Sequence, residues 1–388
     1  MRTEVYAVVA LFVLGVGARA QSVVPYASIA TDGESYAGPG RAAANDLTGK
    51  VVRIGMLAPM HGARKAEGDA MVAGAQIALH DAGGDALPGG RRAELAVRDE
   101  SGPSWGVVSD EVIHLVMDDD VVAMITSTSG ADAHLCEQVG NRMGVPVLTL
   151  AADATTTQID IPWIFRMGAS DDDEAKVIAR NIYRERGLRK VLFVAEQEHD
   201  GRRGVEAMEK AAKVPGVAAP ESVMLDPLHA DVGAVVKRIR AEEPQAVVMW
   251  TSAETAGALQ RAMQAGGVKT ICYLSQNAAQ GSLGTSDARA EGAWMAAAEG
   301  EDAAVRRSFA RRYWQATGKV PSDAAMQSYD AVMITMRALR VAGANRARVR
   351  DELARVQDFA GASGRISFDR EGNDLAAMHL VRLAEVQR

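Results

Sequence analysis

Two α/β lobes, each a parallel sheet wound with helices on both faces, are predicted from three features of the sequence. Short apolar runs alternate with segments of helical spacing from Val51 onward. The runs are apolar almost throughout, as strands covered on both faces must be. The alternation restarts at Ser170, so the chain reads as two doubly wound series in succession.

The first series opens with the strand VVRIGML from Val51, followed by a helix over 71–80 with Val72, Ala75 and Leu79 on one face. The strand AELAVRD, a helix over 104–117, the strand VVAMIT, a helix over 131–143 and the strand VPVLTL follow, with a short strand over 162–165. In the second series Ser170 caps a helix whose first turn is Asp171, Asp172, Asp173 and Glu174, where the helix dipole favours carboxylates. That acidic turn is expected to be a solvated cap and not a metal site. Strands KVLFVAE, ESVML, PQAVVMW and KTICYLS alternate with helices over 204–212, 232–241 and 254–264. Three helices, about 302–316, 322–342 and 346–356, precede a closing strand pair, GRISFD and MHLVRLAEV.

A chain of 388 residues is long enough for two full cores. Its 48% hydrophobic and 24% charged content is ordinary for a globular protein and excludes wholesale disorder and multiple membrane spans. A net charge of −7 lacks the basic footprint that nucleic acid requires. Cys136 and Cys272 sit inside apolar patterns, without metal spacing, and are expected to be buried thiols.

Arg2, the apolar run YAVVALFVLGVG and Ala18-Arg19-Ala20 before Gln21 describe a cleaved signal peptide over residues 1–20, too short to span a bilayer. No cysteine follows to take a lipid, so a protein exported to the periplasm or another extracytoplasmic space is expected. Residues 21–49, with scattered Gly, Pro, Ser and Ala, are expected to be a flexible tether. GPGR, at 38–41, could instead be a turn docked on the body.

Doubly wound sheets bind ligands beyond the carboxyl ends of their strands. Six loops stand there: 60–67, 127–130 and 151–155 in the first series, and 196–200, 251–254 and 275–277 in the second. They supply the candidate ligand contacts Glu67, Ser127, Ser129, Gly130, Ala151, Asp153, Asp200, Thr251 and Gln276. Phosphate-loop, dinucleotide, nucleophile-elbow and zinc-protease motifs are absent from the sequence. His134 and Cys136 diverge on a helix and make a poor metal pair. His199 and Asp200 are the remaining acid/base candidates, with a ligand-contacting turn the preferred reading. No catalytic residue, cofactor or metal is expected.

VVRIGMLAPMHGARKAEGDAMVAGAQIALHDAGG resembles the opening of the type I periplasmic binding proteins, in their branched-chain amino-acid and amide branch. VPVLTLAADATT, PWIFRMGASDDDEAKVIA, MQSYDAVMITMRAL and GASGRISFDREGN are similar to later segments of that family, in the same order. The resemblance implies two lobes joined by a three-crossover hinge, 50–168 with 299–357 and 169–298 with 358–388. It implies a monomer that captures a small polar solute, an amino acid, amide or relative, and delivers it to the permease of an ABC-type importer. A ligand-sensing module for a membrane signalling partner is the alternative.

In amino-acid binders of the family, the first lobe holds the ligand carboxylate at positions matching Ser129 or Gly130, Ala151 and Asp153. Here Asp153 replaces a threonine, Glu67 an aromatic residue, Asp200 a tyrosine and Gln276 the carboxylate that takes the ammonium. Asp153 would repel a carboxylate, and a neutral amide cannot neutralise a buried ammonium. The cleft, with Arg64, Lys65 and Arg202 as its nearby cations, is therefore expected to suit a polyol, an amide or a cation.

Overall fold

The computed structural model describes residues 38–84, 86–102, 105–158, 161–213, 220–279, 292–298 and 303–383. The expected signal peptide, the tether over 21–37 and Ser104, placed at the start of a helix, lie outside the described residues.

Strands β1 (Val51–Ala58), β2 (Arg92–Asp99), β3 (Ala123–Thr126), β4 (Val147–Thr149) and β5 (Ile164–Arg166) form a parallel sheet in the order β2-β1-β3-β4-β5. Helices α1 (Lys65–Asp81), α2 (Trp105–Met117) and α3 (Gly130–Met143) connect the first four. Alternation along β1 decides which helices cover which face. Val52, Ile54 and Met56 pack with Met71 and Ala75 of α1, whereas Leu57 packs with Val108 and Val112 of α2 and Cys136 of α3. The chain leaves β1 toward β2 on one side and β3 on the other, so the carboxyl ends of β1 and β3 frame a crevice.

The second sheet runs β13-β10-β9-β8-β6-β7. It comprises β6 (Val191–Glu196), β7 (Glu221–Leu225), β8 (Ala246–Trp250), β9 (Ile271–Leu274) and β10 (Trp294–Ala298), all parallel, with β13 (Met378–Arg382) antiparallel at the edge. Helices α4 (Asp171–Ala179) and α5 (His199–Ala211) cover one face, and α6 (Val232–Glu242) and α7 (Ala253–Ala265) the other. The short α8 (Gln276–Ala279) follows β9. Helices α9 (Ala303–Thr317), α10 (Asp323–Ala342) and α11 (Arg346–Ala354) return to the first lobe, where α10 lies against α1. The chain thus passes between the lobes three times.

Several expectations need correction. GRISFD and MHLVRLAEV do not pair: Arg365–Ile366 (β12) forms a hairpin with Phe359–Ala360 (β11), while β13 pairs with β10, a strand the sequence reading missed. The hairpin belongs with the first lobe, not with the second as the boundary at 358 implied. Ala362, Ile366 and Phe368 join the core under α10, and buried Asp330 of α10 accepts from the N–H groups of Ala362 (2.7 Å) and Ser363 (2.8 Å). Residues 38–49 dock on the body, because Arg41 makes a two-pronged ion pair with Asp351 (2.8 and 3.0 Å) and Asn345 Nδ2 donates to the carbonyl of Gly40. Cys136 is buried but Cys272 only partly so. Helices α1 and α5 begin earlier than expected, since their first turns are polar and carry no apolar period.

The approach of α1 to α10 is set by Gly74, where a Cβ would lie 2.2 Å from the carbonyl oxygen of Ala325. Gly74→Val should therefore cost at least about 1–3 kcal/mol of unfolding free energy in urea titration, as overpacked cores do. Gly257→Ala on α7, whose Cβ would meet only the Arg261 side chain at 3.4 Å, should be neutral or stabilising.

Candidate functional site

The strand ends of the two sheets face each other across a cleft lined by Thr128, Ala152, Asp153, Asp171, Glu174, Asp200, Trp250, Ser275, Gln276 and Asn277. Of the nine predicted contacts, Asp153, Asp200 and Gln276 line it directly. Asp171, Glu174 and Trp250 were missed. The two carboxylates had been read as parts of a solvated cap, and Trp250 as the last residue of an apolar strand.

Arg64 organises the rear of the first lobe. Its guanidinium donates to both oxygens of Glu67 (3.0 and 2.9 Å) and to Ser127 Oγ (3.1 Å), and lies 3.0 Å from Glu100 Oε1. Thr128 donates to Glu67 through its N–H (3.1 Å) and its hydroxyl (2.8 Å). Glu67 and Ser127 are therefore consumed within the lobe and offer a ligand no free group. Against the desolvation that opposes its charge, Arg64 is held firmly protonated by Glu67 and then Glu100. Burial pushes Glu100 up to about 8, with Arg64 opposing.

The start of α3 stands where amino-acid binders of the resembled family hold the ligand carboxylate. Ser129 Oγ instead caps the helix by accepting from the Asp132 N–H (3.3 Å), and the Gly130 N–H donates to Asp200 Oδ1 at 3.0 Å. The amide position matched to ligand carboxylate is thus taken by a carboxylate of the opposite lobe. A Cβ on Gly130 would lie 2.6 Å from that oxygen, so only glycine admits the contact. Burial pushes Asp200 up to about 7. The Ala151 N–H donates to Thr149 Oγ1 (3.1 Å), and Thr251 Oγ1 to the Ser252 carbonyl (3.0 Å), so these two predicted contacts also face inward.

Asp153 is buried and surrounded. Its Oδ2 lies 2.5 Å from His199 Nε2 and 3.2 Å from His134 Nε2, while Oδ1 accepts from Arg203 Nε (3.2 Å), the Thr155 N–H (2.8 Å) and the Thr155 hydroxyl (2.7 Å). Although burial works against its charge, hydrogen bonds from His134, His199 and Thr155 hold its carboxyl well below the usual carboxylate range. His134 rises to about 9, held by Asp153 and then Glu137. The expected compensation by Lys65 and Arg202 is corrected here. Lys65 pairs with exposed Asp69, Arg202 donates to the Gln197 carbonyl, and Arg203 with the two histidines supplies the charge. His199 and Asp200 form no acid/base pair, since each turns to a different partner in the first lobe.

The acidic turn of α4 is a cap, with Ser170 and Asp173 exchanging bonds, but it is not solvated. Asp171, Asp172 and Glu174 are buried. Asp172 is met by Lys210 Nζ at 2.5 Å. Asp171 Oδ1 accepts from the Ala154 N–H (3.0 Å), while Oδ2 makes no hydrogen bond among the described residues and has Arg203 Nε 3.8 Å away, and burial pushes the group up to about 6. Glu174 accepts from the Gln276 N–H at 2.7 Å, and burial pushes it up to about 8. Trp250 closes the second-lobe wall, stacked on Phe193 with centroids 5.8 Å apart.

Glu100, which is not among the residues lining the cleft, gives a stability test. Between its unfolded value near 4.5 and its folded value of about 8, the native state keeps a proton that the unfolded chain releases. Stability contributed at acid pH is therefore lost as pH rises through that window. In denaturant titrations, Glu100→Gln should show a smaller decline between pH of about 5 and 8 than the parent, by about 1 kcal/mol or more.

A family model described as periplasmic binding protein matches residues 51–388. Among solved structures, the fold is similar to a leucine-binding protein of Thermotoga maritima (TM-score 0.75, 20% identity, 85% of this chain and 94% of that one). It is equally similar to a branched-chain amino acid transporter substrate-binding protein of Streptococcus pneumoniae in complex with isoleucine (0.75, 18%, 86% and 100%). A solute-binding protein of Rhodopseudomonas palustris in complex with 3,4-dihydroxybenzoic acid matches as well (0.76, 16%, 86% and 93%). No curated protein matches the chain. Among the described residues, no helix is long and apolar enough to cross a membrane.

Proposed function

The chain belongs to the periplasmic binding protein family, and on that premise we propose that it is an exported carrier of a small, donor-rich solute for an ABC-type importer. The signal-peptide pattern over 1–20 supports export. The cleft supports the class of solute. Asp171, Glu174 and Asp200 line it, all raised by burial, and no lysine or arginine stands among the described lining residues.

One observation carries the reading: the amide of Gly130 is held by Asp200 and not left open for a ligand carboxylate. An anion entering there would displace a buried carboxylate and leave it without a donor, which costs about 1–3 kcal/mol or more. An ammonium, amidine, amide or polyol instead supplies the hydrogens that Asp171 Oδ2 and Glu174 lack. Trp250 adds an aromatic wall suited to a cationic or apolar edge.

Thermal-shift screening of the purified protein tests this. Amines, amides and polyols are compared with leucine, isoleucine and hydroxybenzoates, since saturating ligands add RT ln(1 + [L]/Kd). A cationic or amide compound should raise the melting temperature by a few degrees, and the carboxylates without a compensating cation should not. Stabilisation by a benzoate, with no response to any donor-rich compound, would overturn the proposal.

For a cationic hit, Glu174→Gln should weaken binding by about 1.5–3 kcal/mol in calorimetry, the range for a charged hydrogen bond. Two acids face Glu174, Asp171 on its own helix and Asp323 at the start of α10, and both raise it. Cation binding needs its ionised form, so affinity should fall as pH drops below about 8, and this part of the fall should vanish in Glu174→Gln.

A further inference from the structure

We infer that His134, Asp153 and His199 form a site for a divalent first-row transition ion, of which Zn2+ is the natural probe, bridging the two lobes beside the cleft. Their candidate ligand atoms all lie within 4.8 Å of one another. His199 Nε2 lies 2.5 Å from Asp153 Oδ2, and His134 Nε2 lies 3.2 Å from the same oxygen and 3.0 Å from Thr155 Oγ1. Around a tetrahedral ion with bonds of about 2.0–2.2 Å, ligand atoms sit about 3.3 Å apart. Small side-chain adjustments therefore separate the present cluster from a coordinated one, with the ion taking the place of the protons shared between Asp153 and the two imidazoles.

The groups behind these three side chains fit the same reading. Histidines that bind metals present one ring nitrogen and anchor the other on a carboxylate. His134 does so: its Nδ1 lies 3.0 Å from Glu137 Oε2, which sets Nε2 toward Asp153. Glu137 is fully buried one helical turn away, and its other oxygen makes no hydrogen bond among the described residues. A buried carboxylate committed to orienting one imidazole has little other structural use. Asp153 is divided in the same manner. Oδ1 is held by Arg203 and Thr155, which leaves Oδ2 to the histidines.

Two imidazoles and one carboxylate are donors for a borderline ion such as Zn2+, and unlike the all-oxygen sets that select calcium or magnesium. His199 is about one-third exposed, so water can reach the ion and complete its coordination. Asp200 and Asp171 stand nearby to offset the charge, and Arg203 keeps its partners on Asp153 Oδ1 and Glu206. His134 and Asp153 come from the first lobe, and His199 from the first turn of α5 in the second. An ion here would fasten the lobes together, whichever solute the cleft takes.

The test is calorimetric titration of ZnCl2 into the purified protein, free of any histidine tag and stripped with a chelator. One ion per chain should bind. His199→Ala and His134→Ala should each weaken binding at least tenfold, while His229→Ala, at an exposed histidine outside the cluster, should leave it unchanged. Glu137→Gln, which touches no ion, should weaken it about tenfold or more, as lost carboxylate support of a ligating histidine does. Titration with Co2+ reads the donor set of the unaltered protein directly, through visible absorption of a four- or five-coordinate ion with nitrogen ligands. Absence of stoichiometric Zn2+ binding would overturn the assignment, as would binding that persists in both histidine variants or a Co2+ spectrum of the hexa-aquo type.

Discussion

A carboxylate seated on a backbone amide, Asp200 Oδ1 on the N–H of Gly130, is the contact around which the cleft is arranged. The first N–H groups of a helix have no partner within it and carry the positive end of its dipole. Asp200 supplies that partner from the first turn of α5, in the opposite lobe. Its neighbours on the same turn, His199 and Arg203, are thereby carried to Asp153. Two helix starts, one from each lobe, thus meet end to end. Gly130 permits the approach because any side chain there would collide with Asp200 and with Asp153.

That arrangement divides the acids of the cleft into two groups. Asp153 is compensated by two imidazoles, a guanidinium and Thr155, and it is held ionised. Asp171 and Glu174, on α4, have backbone donors on one oxygen only, and burial raises both. The first group has the character of a fastening and the second that of an unmet demand for hydrogens. Burial disfavours the charge of Asp171 and Glu174, the former with Arg203 Nε 3.8 Å from its second oxygen, so a hydrogen-bond donor entering the cleft offsets that cost.

The architecture was legible because it rests on period and order. Strands covered on both faces read as apolar runs, and of the polar residues just after them Asp153, Asp200 and Gln276 line the cleft while Glu67, Ser127, Ala151 and Thr251 turn to partners within their own lobe. Ser170 was legible as a cap from its hydroxyl and the acids behind it, but one-dimensional pattern says nothing about what covers a helix start. Asp171 and Glu174 are buried because the 151–155 turn and α8 pack over them, through Ala154 and Gln276. Strand β10, and with it the pairing of β13, escaped for a similar reason, although β13 itself was legible as a strand. Their pairing joins residues far apart in sequence, and neither has a neighbouring element that announces it. The first turns of α1 and α5 carry Glu67 and Asp200 on polar stretches without apolar period, and so were read as loops.

The cluster of His134, Asp153 and His199 shows where such reading ends and what a fold adds. Each residue alone is unremarkable in sequence: a histidine on a helix, an acid in a turn, a histidine before an aspartate. Only the meeting of α3 with α5 puts two imidazoles on one carboxylate oxygen. Glu137 shares a helical face with His134, three residues on, and that spacing was visible. It gains meaning once His134 is seen to face another lobe, because a carboxylate that fixes the tautomer of an imidazole also fixes what its other nitrogen can accept. The same helix start therefore does two things in this chain. It closes on Asp200 through its backbone, and one turn later it presents an oriented ring to the partner that Asp200 brings with it.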